Sequence, residues 1–360
     1  MIFSSITFLL FFTALLLLLS VLRGRRAPQL LLLVASYIFY AAWDARFCLL
    51  IFASSIWSFL LGLALDKSTI AARRRLYLIL SLCADLGMLC YFKYANFFLE
   101  SFYELTGFEP SAALNITLPV GISFFTFQTM SYSIDLYRRR IPVCKDAFQF
   151  SLFVAFFPQL VAGPIVRASE FLPQLKDPVR LTVANTKLGL QIFLLGMLQK
   201  TLIADNLSVF VDPVFATPTL YDSGTLWLAM GSYGLQIFCD FSGYSLMAIG
   251  VGRVLGFVLP VNFRTPYLAQ SITDFWRRWH ISLSTWLRDY LYISLGGNRK
   301  GRFRADINLM ITMFLGGLWH GAGWTFVVWG ILHGFGLIVH KHWSARVRTD
   351  GWSSHATRVY

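Results

Sequence analysis

Residues 314–326 read FLGGLWHGAGWTF and place one histidine, His320, between two tryptophans and among four glycines. The stretch lies at the junction of two apolar runs, 306–320 and 324–340, each typical of a membrane helix. A helix that begins near Arg304 and rises about 1.5 Å per residue carries His320 roughly 20 Å or more from its start. Because the hydrocarbon core of a bilayer is about 30 Å thick, the stretch predicts an ionisable side chain deep in a membrane.

The composition of the whole chain also indicates a membrane protein. Of the 360 residues, 56% are hydrophobic and only 14% are charged, which is too apolar for one water-soluble core. The apolar runs lie at about 3–22, 29–43, 47–65, 76–92, 117–136, 148–165, 188–204, 226–249, 306–320 and 324–340. Several are shorter than the ~20 residues of a straight span. We therefore expect an all-α polytopic membrane protein with tilted, broken or re-entrant helices.

The charge distribution predicts the orientation of the chain. Its formal net charge is +13, and in a membrane protein such an excess of Lys and Arg collects in cytoplasmic loops rather than marking a nucleic-acid partner. Basic clusters at 23–26, 67–75 and 138–140 alternate with acidic segments around Asp44 and at 100–109. This alternation predicts an outward N-terminus and a cytoplasmic location for residues 264–304.

The run at 148–165 is interrupted by FFPQLVAGP, residues 156–164, which contains Pro158 and Pro164. Proline breaks a helix, and broken backbone at membrane depth persists only where protein or a water-filled cavity satisfies its polar groups. We expect this run to enter the membrane and return, with a buried cavity nearby.

His320 is a candidate functional residue because polar groups are costly in hydrocarbon. Its glycine neighbours let another backbone or a substrate approach, and Trp319 and Trp324 are candidates to line a tunnel and exclude water. The alternative is a hydrogen-bonded structural histidine within a helix-packing motif. His340 and His342 lack a third ligand at convincing spacing, so we expect no metal site.

Residues 271–292, SITDFWRRWHISLSTWLRDYLY, predict one amphipathic helix at the membrane interface. Its aromatic stripe, more typical of anchoring than of chemistry, comprises Trp276, Trp279, Leu283, Trp286 and Tyr290. A second stripe comprises Arg277, His280, Ser284 and Arg288. His280 is open to a structural or a chemical interpretation.

The loop LGGNRKGRFR, residues 295–304, joins a glycine turn to a basic cluster. It is either an ordinary cytoplasmic loop or a site that captures a phosphorylated donor such as coenzyme A, or an acidic carrier protein. Asn298, Arg299 and Lys300 are the donor-binding candidates here, together with Arg277, Ser284 and Arg288. The loop lacks the spacing of a P-loop.

Asp240 lies inside an apolar run, in CDFSGYSLMAIG at 239–250, and needs a partner there. It could pair with an arginine or orient a histidine. Ser242 and Tyr244 are further candidates to line a tunnel, although serine in a membrane helix commonly bonds its own backbone.

Five stretches together resemble the membrane-bound O-acyltransferase family, in the branch of alginate O-acetylation and teichoic-acid D-alanylation proteins. They are LPVGISFFTFQTMSYSIDLYR (118–138), FPQLVAGPIVR (157–167), CDFSGYSLMAIG (239–250), FWRRWHISLSTWLRDYLYISLGGNRKG (275–301) and GGLWHGAGWTFVVWGILHG (316–334). The resemblance implies a ring of tilted and re-entrant helices around a central tunnel. It also implies that His320 is the essential catalytic residue and that His280 is a second active-site residue.

The activity implied by the resemblance is acetyl transfer from acetyl-CoA, or from an acyl carrier, to hydroxyls of an exported polysaccharide such as alginate. Transfer would be direct or through a periplasmic acetyltransferase partner. The protein would lie in the bacterial inner membrane with its N-terminus in the periplasm, and it would hold no bound cofactor. Two alternatives stay open: D-alanyl transfer from a carrier protein to teichoic acid, and a transport or structural subunit of an export complex.

The domain prediction is a membrane domain over residues 1–343 and a polar tail over 344–360. Proteins that resemble this chain continue with further spans beyond the histidine motif. We therefore expect the membrane domain to lack the C-terminal spans of the family.

Overall fold

The computed structural model describes residues 1–107 and 116–349. Within these ranges the chain is helical and contains no strand, which confirms the predicted all-α class. The α-helices in chain order are α1 (Ile6–Val21), α2 (Arg26–Asp44), α3 (Cys48–Lys67), α4 (Ala71–Leu89), α5 (Ala95–Thr106), α6 (Ile122–Tyr137), α7 (Ala147–Ala155), α8 (Phe157–Leu160), α9 (Ala168–Phe171), α10 (Val183–Leu198), α11 (Asp205–Ala216), α12 (Ser223–Val254), α13 (Ile272–Arg278), α14 (Ile281–Trp286), α15 (Arg302–His320) and α16 (Trp324–Thr349).

Every predicted apolar run overlaps at least one of these helices. Three helical stretches are long and apolar enough to cross a membrane, namely Arg26–Lys67, Ala71–Thr106 and Val183–Ala216. The protein is therefore a membrane protein. The predicted domain boundary at residue 343 falls within α16, and residues 350–360 of the predicted tail lie outside the described part of the chain.

The chain forms two compact units, and the first comprises residues 1–89 and 118–261. Its closest helix pair is α10 with α12, which meet through two glycine contacts. A Cβ added to Gly189 would lie 2.6 Å from the carbonyl oxygen of Gly250, and one added to Gly196 would lie 2.5 Å from that of Gly243. Small residues let membrane helices approach until their backbones touch. Gly243 and Gly250 therefore explain part of the 239–250 motif by packing alone.

The interior of the first unit is unusually polar for a membrane protein. On α6 nearly every side chain is buried, including Thr129 and Ser133. The Ser133 hydroxyl lies 2.8 Å from that of Ser81 on α4, and the indole N–H of Trp57 on α3 donates to Asp85 at 3.3 Å. Polar groups in a membrane interior face one another rather than lipid, and here they join α3, α4 and α6.

The predicted interruption of the run at 148–165 is present. Helix α7 ends at Ala155, Phe156 has a non-helical backbone, and the short helix α8 begins at Phe157 with Pro158 in its first turn. The backbone N–H of Phe157 is taken up by the Ser36 hydroxyl at 3.2 Å. The break leaves this backbone N–H without a helical acceptor, and a side chain of α2 accepts its hydrogen bond instead.

The second unit comprises residues 90–117 and 262–360. In its described part, α15 and α16 pack against each other through glycines. A Cβ on Gly317 would lie 2.3 Å from the carbonyl oxygen of Phe326, and one on Gly330 would lie 2.5 Å from that of Met313. The glycines around His320 therefore bring α16 against the end of α15, as the sequence predicted.

Candidate active site

The segment around His280 is broken, so the prediction of one continuous amphipathic helix was wrong. Helix α13 ends at Arg278, and His280 adopts a left-handed backbone with φ of 43° before α14 begins. The extended segment that precedes α13 supplies the missing partners. The N–H of Arg264 donates to the carbonyl of Arg278, and the N–H of Ile281 donates to the carbonyl of Asn262, both at 2.9 Å.

The break also redirects the aromatic stripe. Trp279, Leu283, Trp286 and Tyr290 are each less than one tenth exposed. These four side chains pack inside the unit.

Asn262 holds His280 in one orientation. Its Oδ1 lies 3.1 Å from His280 Nδ1, 3.2 Å from the backbone nitrogen of Ser282 and 2.9 Å from the Ser282 hydroxyl. A backbone N–H can only donate, so the shared atom must be the amide oxygen, and His280 Nδ1 must carry a hydrogen. In the neutral ring, Nε2 is then the basic nitrogen.

His280 is fully buried and lies outside the candidate spans. Burial, and then the proximity of His320, lower the pKa of His280 well below its ordinary value. The neutral imidazole is accordingly the stable form of this side chain.

His320 is the last residue of α15 and is surrounded by rings. The centroid of its ring lies 5.1 Å from Trp319, 5.0 Å from Trp329 and 6.3 Å from His280, each in an edge-to-face arrangement. The centroid of the His333 ring lies 4.6 Å from that of Trp329, with the two rings tilted by 53°. These rings restrict the orientation of His320 and shield it from bulk water.

Two side chains from residues 90–94 satisfy the last carbonyls of α15. Lys93 Nζ donates to the carbonyl of Trp319, and the Tyr94 hydroxyl donates to that of Leu318 at 2.8 Å. The Lys93 ammonium also lies 5.5 Å from the centre of the Trp319 ring. A cation at the carboxyl end of a helix stabilises that end, which fixes the backbone that carries His320.

His320 opens into a cavity of about 580 Å³ within the second unit. Five of the predicted site residues line this cavity: His320, Arg277, Ser284, Arg288 and Asn298. Trp276, Trp329 and Lys341 are further lining residues. The cavity therefore joins a histidine, aromatic surface and three cationic side chains from α13, α15, α16 and the helical turn at 287–292.

Two of the three cations that line the cavity form ion pairs. Arg288 pairs with Asp289 at 2.7 Å, and Lys341 pairs with Asp306 at 2.9 Å. Asn298 accepts a hydrogen bond from the Tyr292 hydroxyl at 2.6 Å. These contacts hold the positive groups at fixed positions on the wall.

Five predicted site residues of the same unit do not line the cavity, and His280 is one of them. Trp319 is buried behind His320, with 7% exposure, whereas Trp324 is 61% exposed and packs on Phe97. Arg299 and Lys300 lie on the exposed turn before α15.

Asp240, Ser242 and Tyr244 belong to the first unit, on α12. Asp240 pairs with Lys200 at 2.5 Å, and Tyr244 stacks on Phe3 at 4.8 Å. Ser242 is buried there. The need of Asp240 for a partner is thus met by a lysine within that unit.

Sequence reasoning missed Asn262 and Lys93. Asn262 gave no local signal, because it lies 18 residues before His280 and is joined to it only by the fold. Lys93 did give one, since it is the single Lys or Arg between residues 76 and 106 of the apolar stretch Ala71–Thr106. Ionisable residues in such stretches are functional candidates.

Comparison with known proteins identifies the family of the chain. The sequence profile of the membrane-bound O-acyltransferase family matches residues 138–358. The alginate O-acetylase AlgI of Pseudomonas putida is 46% identical over 347 residues, which cover 95% of this chain and 71% of that protein. The peptidoglycan O-acetyltransferase of Helicobacter pylori is 41% identical, over 92% of this chain and 66% of that protein.

A more distant relative is the teichoic acid D-alanyltransferase of Streptococcus thermophilus, 31% identical over 64% of this chain and 58% of that protein. The family profile covers more than half of the chain and includes both histidines of the site. On this evidence the chain belongs to the membrane-bound O-acyltransferase family.

Proposed function

We propose that this protein transfers an acetyl group from acetyl-CoA to hydroxyl groups of an exported polysaccharide, with His320 as general base. The observation that carries the proposal is that His320 and the cations Arg277, Arg288 and Lys341 line one cavity. An acyl donor of this class combines a reactive thioester with phosphate groups. The cavity offers a base that can activate the hydroxyl attacking the thioester, and positive charge that can bind the phosphates. The high identity to alginate and peptidoglycan O-acetylating proteins supports acetyl as the transferred group.

In the proposed reaction, His320 accepts the proton of an acceptor hydroxyl as its oxygen bonds to the thioester carbonyl carbon. The tetrahedral intermediate collapses, the carbon–sulfur bond breaks, and the leaving thiolate takes the proton from the imidazolium of His320. An alcohol is a weak nucleophile until it is deprotonated. The base therefore activates the attacking hydroxyl.

His280 is assigned as a positioning residue, because it does not line the cavity and is fully buried beside His320. Asn262 keeps its Nδ1 protonated, so the neutral ring presents Nε2 as an acceptor. A neutral neighbour favours proton uptake by His320, whereas a charged one would oppose it.

Charge stabilisation in the cavity is assigned to Arg277 and Trp276. The indole Nε1 of Trp276 is buried and has no hydrogen-bond partner among the described residues. A buried donor of this kind gains most when a developing oxyanion takes its hydrogen bond. Arg277 lines the same cavity and supplies a permanent positive charge.

The proposed location is the bacterial inner membrane, with the N-terminus in the periplasm. The contacts of the three basic clusters support the placement of their loops on the same side of the membrane. Arg25 and Arg26 line the same cavity as Arg140, and Arg74 donates to the carbonyls of Leu136 and Tyr137. Cysteines placed singly at positions 24 and 107 should be labelled from opposite sides by a membrane-impermeant thiol reagent, and labelling from one side would contradict this topology.

The donor is tested with membranes that carry the whole chain together with a candidate acceptor polysaccharide. We expect acetyl-CoA to release free thiol and radiolabelled acetate to appear on the polysaccharide. If acetyl-CoA releases no thiol and the acceptor gains D-alanine when a D-alanyl carrier protein is supplied, the proposed donor is wrong and D-alanyl transfer replaces it. Solute movement without thiol release would instead favour a transport subunit.

A further inference from the structure

A second cavity, of about 780 Å³, lies in the first unit and is strongly basic. It is formed by the start of α2, the loop between α6 and α7, and residues 168–176. The cations that line it are Arg25, Arg26, Arg140, Lys145 and Lys176. Asp146 is the one carboxylate among its described lining residues. The wall therefore carries four more positive than negative side chains.

The carboxylate of Asp146 already accepts hydrogen bonds from other groups of the protein. Its Oδ2 accepts from Arg26 at 2.5 Å, and its Oδ1 caps α7 by accepting from the backbone nitrogens of Phe148 and Gln149. Among the described residues, Lys145 and Lys176 form no ion pair, and both are exposed. Their charge is consequently available to an anion that enters the cavity.

The walls of the cavity are tied together by polar contacts. Gln29 and Gln149 both donate to the carbonyl of Leu175, at 2.7 and 3.2 Å. Arg25 donates to the carbonyl of Lys176 at 3.4 Å. Three separate stretches of chain thus hold the basic groups around one space before any ligand arrives, which lowers the cost of binding.

An apolar groove of about 700 Å³ continues from this cavity and shares Ala147 and Phe148 with it. Eight of its lining residues come from α2 and α3: Leu33, Val34, Tyr37, Ile38, Ala41, Cys48, Phe52 and Ile56. Phe148 marks the junction, since it is 53% exposed and the Arg26 guanidinium lies 5.7 Å from the centre of its ring. The basic cavity and the apolar groove therefore meet at Ala147 and Phe148.

We propose that this joined site binds an anionic glycerophospholipid of the membrane, with its phosphate-bearing headgroup in the cavity and an acyl chain in the groove. Basic pockets between membrane helices bind anionic lipid headgroups, and arginine and lysine both bind phosphate. A zwitterionic lipid gains less from the excess of positive charge. A soluble phosphate compound would leave the apolar groove unused.

The test is native mass spectrometry of the full chain in detergent with phosphatidylglycerol, and with phosphatidylcholine of the same acyl chains. We expect preferential retention of phosphatidylglycerol. Replacing Lys145→Gln and Lys176→Gln together should lower its affinity about 25-fold, since each cation near an anionic headgroup contributes about fivefold. The matched control Arg73→Gln with Arg75→Gln removes two exposed cations outside the cavity and should leave the affinity unchanged.

A second variant addresses the groove without changing charge. Ile38→Trp should fill the groove and weaken lipid retention, whereas Ile79→Trp, at an exposed position on α4, should not. Glycerol 3-phosphate and coenzyme A serve as soluble competitors, and neither should displace the lipid. Equal retention of phosphatidylcholine, equal losses in the control variants, or full displacement by either soluble competitor would overturn the proposal.

Discussion

The two cavities of this protein both carry basic side chains, but they use that charge differently. In the second unit, two cations are held by carboxylates and the cavity ends at a histidine enclosed by aromatic rings. In the first unit, two lysines form no ion pair among the described residues, and no histidine lines the cavity. Positive charge alone is sufficient to bind an anion. Acyl transfer additionally needs a base whose orientation and protonation are controlled by its neighbours.

The largest expected effect, on both stability and thiol release, concerns the helix packing next to His320. A Cβ at Gly317 would approach backbone atoms of α16 to 2.3 Å, whereas one at Gly323 would meet nothing closer than 3.8 Å. We expect Gly317→Ala to destabilise the protein by about 3 kcal/mol and to remove thiol release, with Gly323→Ala close to wild type. Thermal unfolding in detergent measures the difference. Equal midpoints for the two variants would show that the helix contact does not position His320.

The next effect concerns Asn262. Asn262→Leu removes the acceptor of His280 Nδ1 and of both Ser282 donors, and leaving such buried donors without a partner costs about 2 kcal/mol or more. We expect lower stability and much slower thiol release, with Asn262→Asp recovering most of the stability because it keeps the acceptor oxygen. An Asn262→Leu protein with normal unfolding and normal rate would refute the positioning role of His280.

The Asn262→Asp variant also predicts a change in pH dependence. A carboxylate beside His280 favours the charged ring, so the pKa of His280 should rise from its lowered value. Below that pKa the charged His280 opposes proton uptake by His320. The acid limb of the rate profile should therefore move to higher pH, and the rate should recover as the pH rises. An unmoved acid limb would show that the charge on His280 does not affect the base.

The smallest expected effect sharpens the distinction between the cavities. The Lys145→Gln and Lys176→Gln protein should release thiol from acetyl-CoA within about twofold of wild type when lipid is saturating, because neither lysine belongs to the cavity of His320. Initial rates at several acetyl-CoA concentrations provide the measurement. A large rise in KM would place the donor in the first unit and overturn the assignment of the two cavities.

Local sequence was sufficient for much of this account. His320, its glycines and its tryptophan neighbour Trp319 lie within a few residues of one another, so a single stretch predicted their association. The interruption near Pro158 was also visible, because proline has a direct effect on the backbone. The all-α class followed from the length and spacing of the apolar runs.

Contacts between distant parts of the chain were not visible. The left-handed turn at His280 is held by backbone hydrogen bonds that Asn262 and Arg264 exchange with Ile281 and Arg278. The amphipathic periodicity of the sequence continues through this turn without interruption. Likewise, Lys93 meets Trp319 across 226 positions. Periodicity reports which face of a helix is apolar, but it does not report which remote polar group will terminate that helix.

The central claim is that His320 is the base for transfer from acetyl-CoA. The most direct test compares thiol release, with acceptor polysaccharide present, by the whole chain and by His320→Ala and His342→Ala proteins at equal amounts in the membrane. His342 is an exposed histidine of the same unit that pairs with Asp306 and does not line the cavity. We predict a loss of about 10³-fold for His320→Ala and little change for His342→Ala. Wild-type rates in the His320→Ala protein would contradict the account.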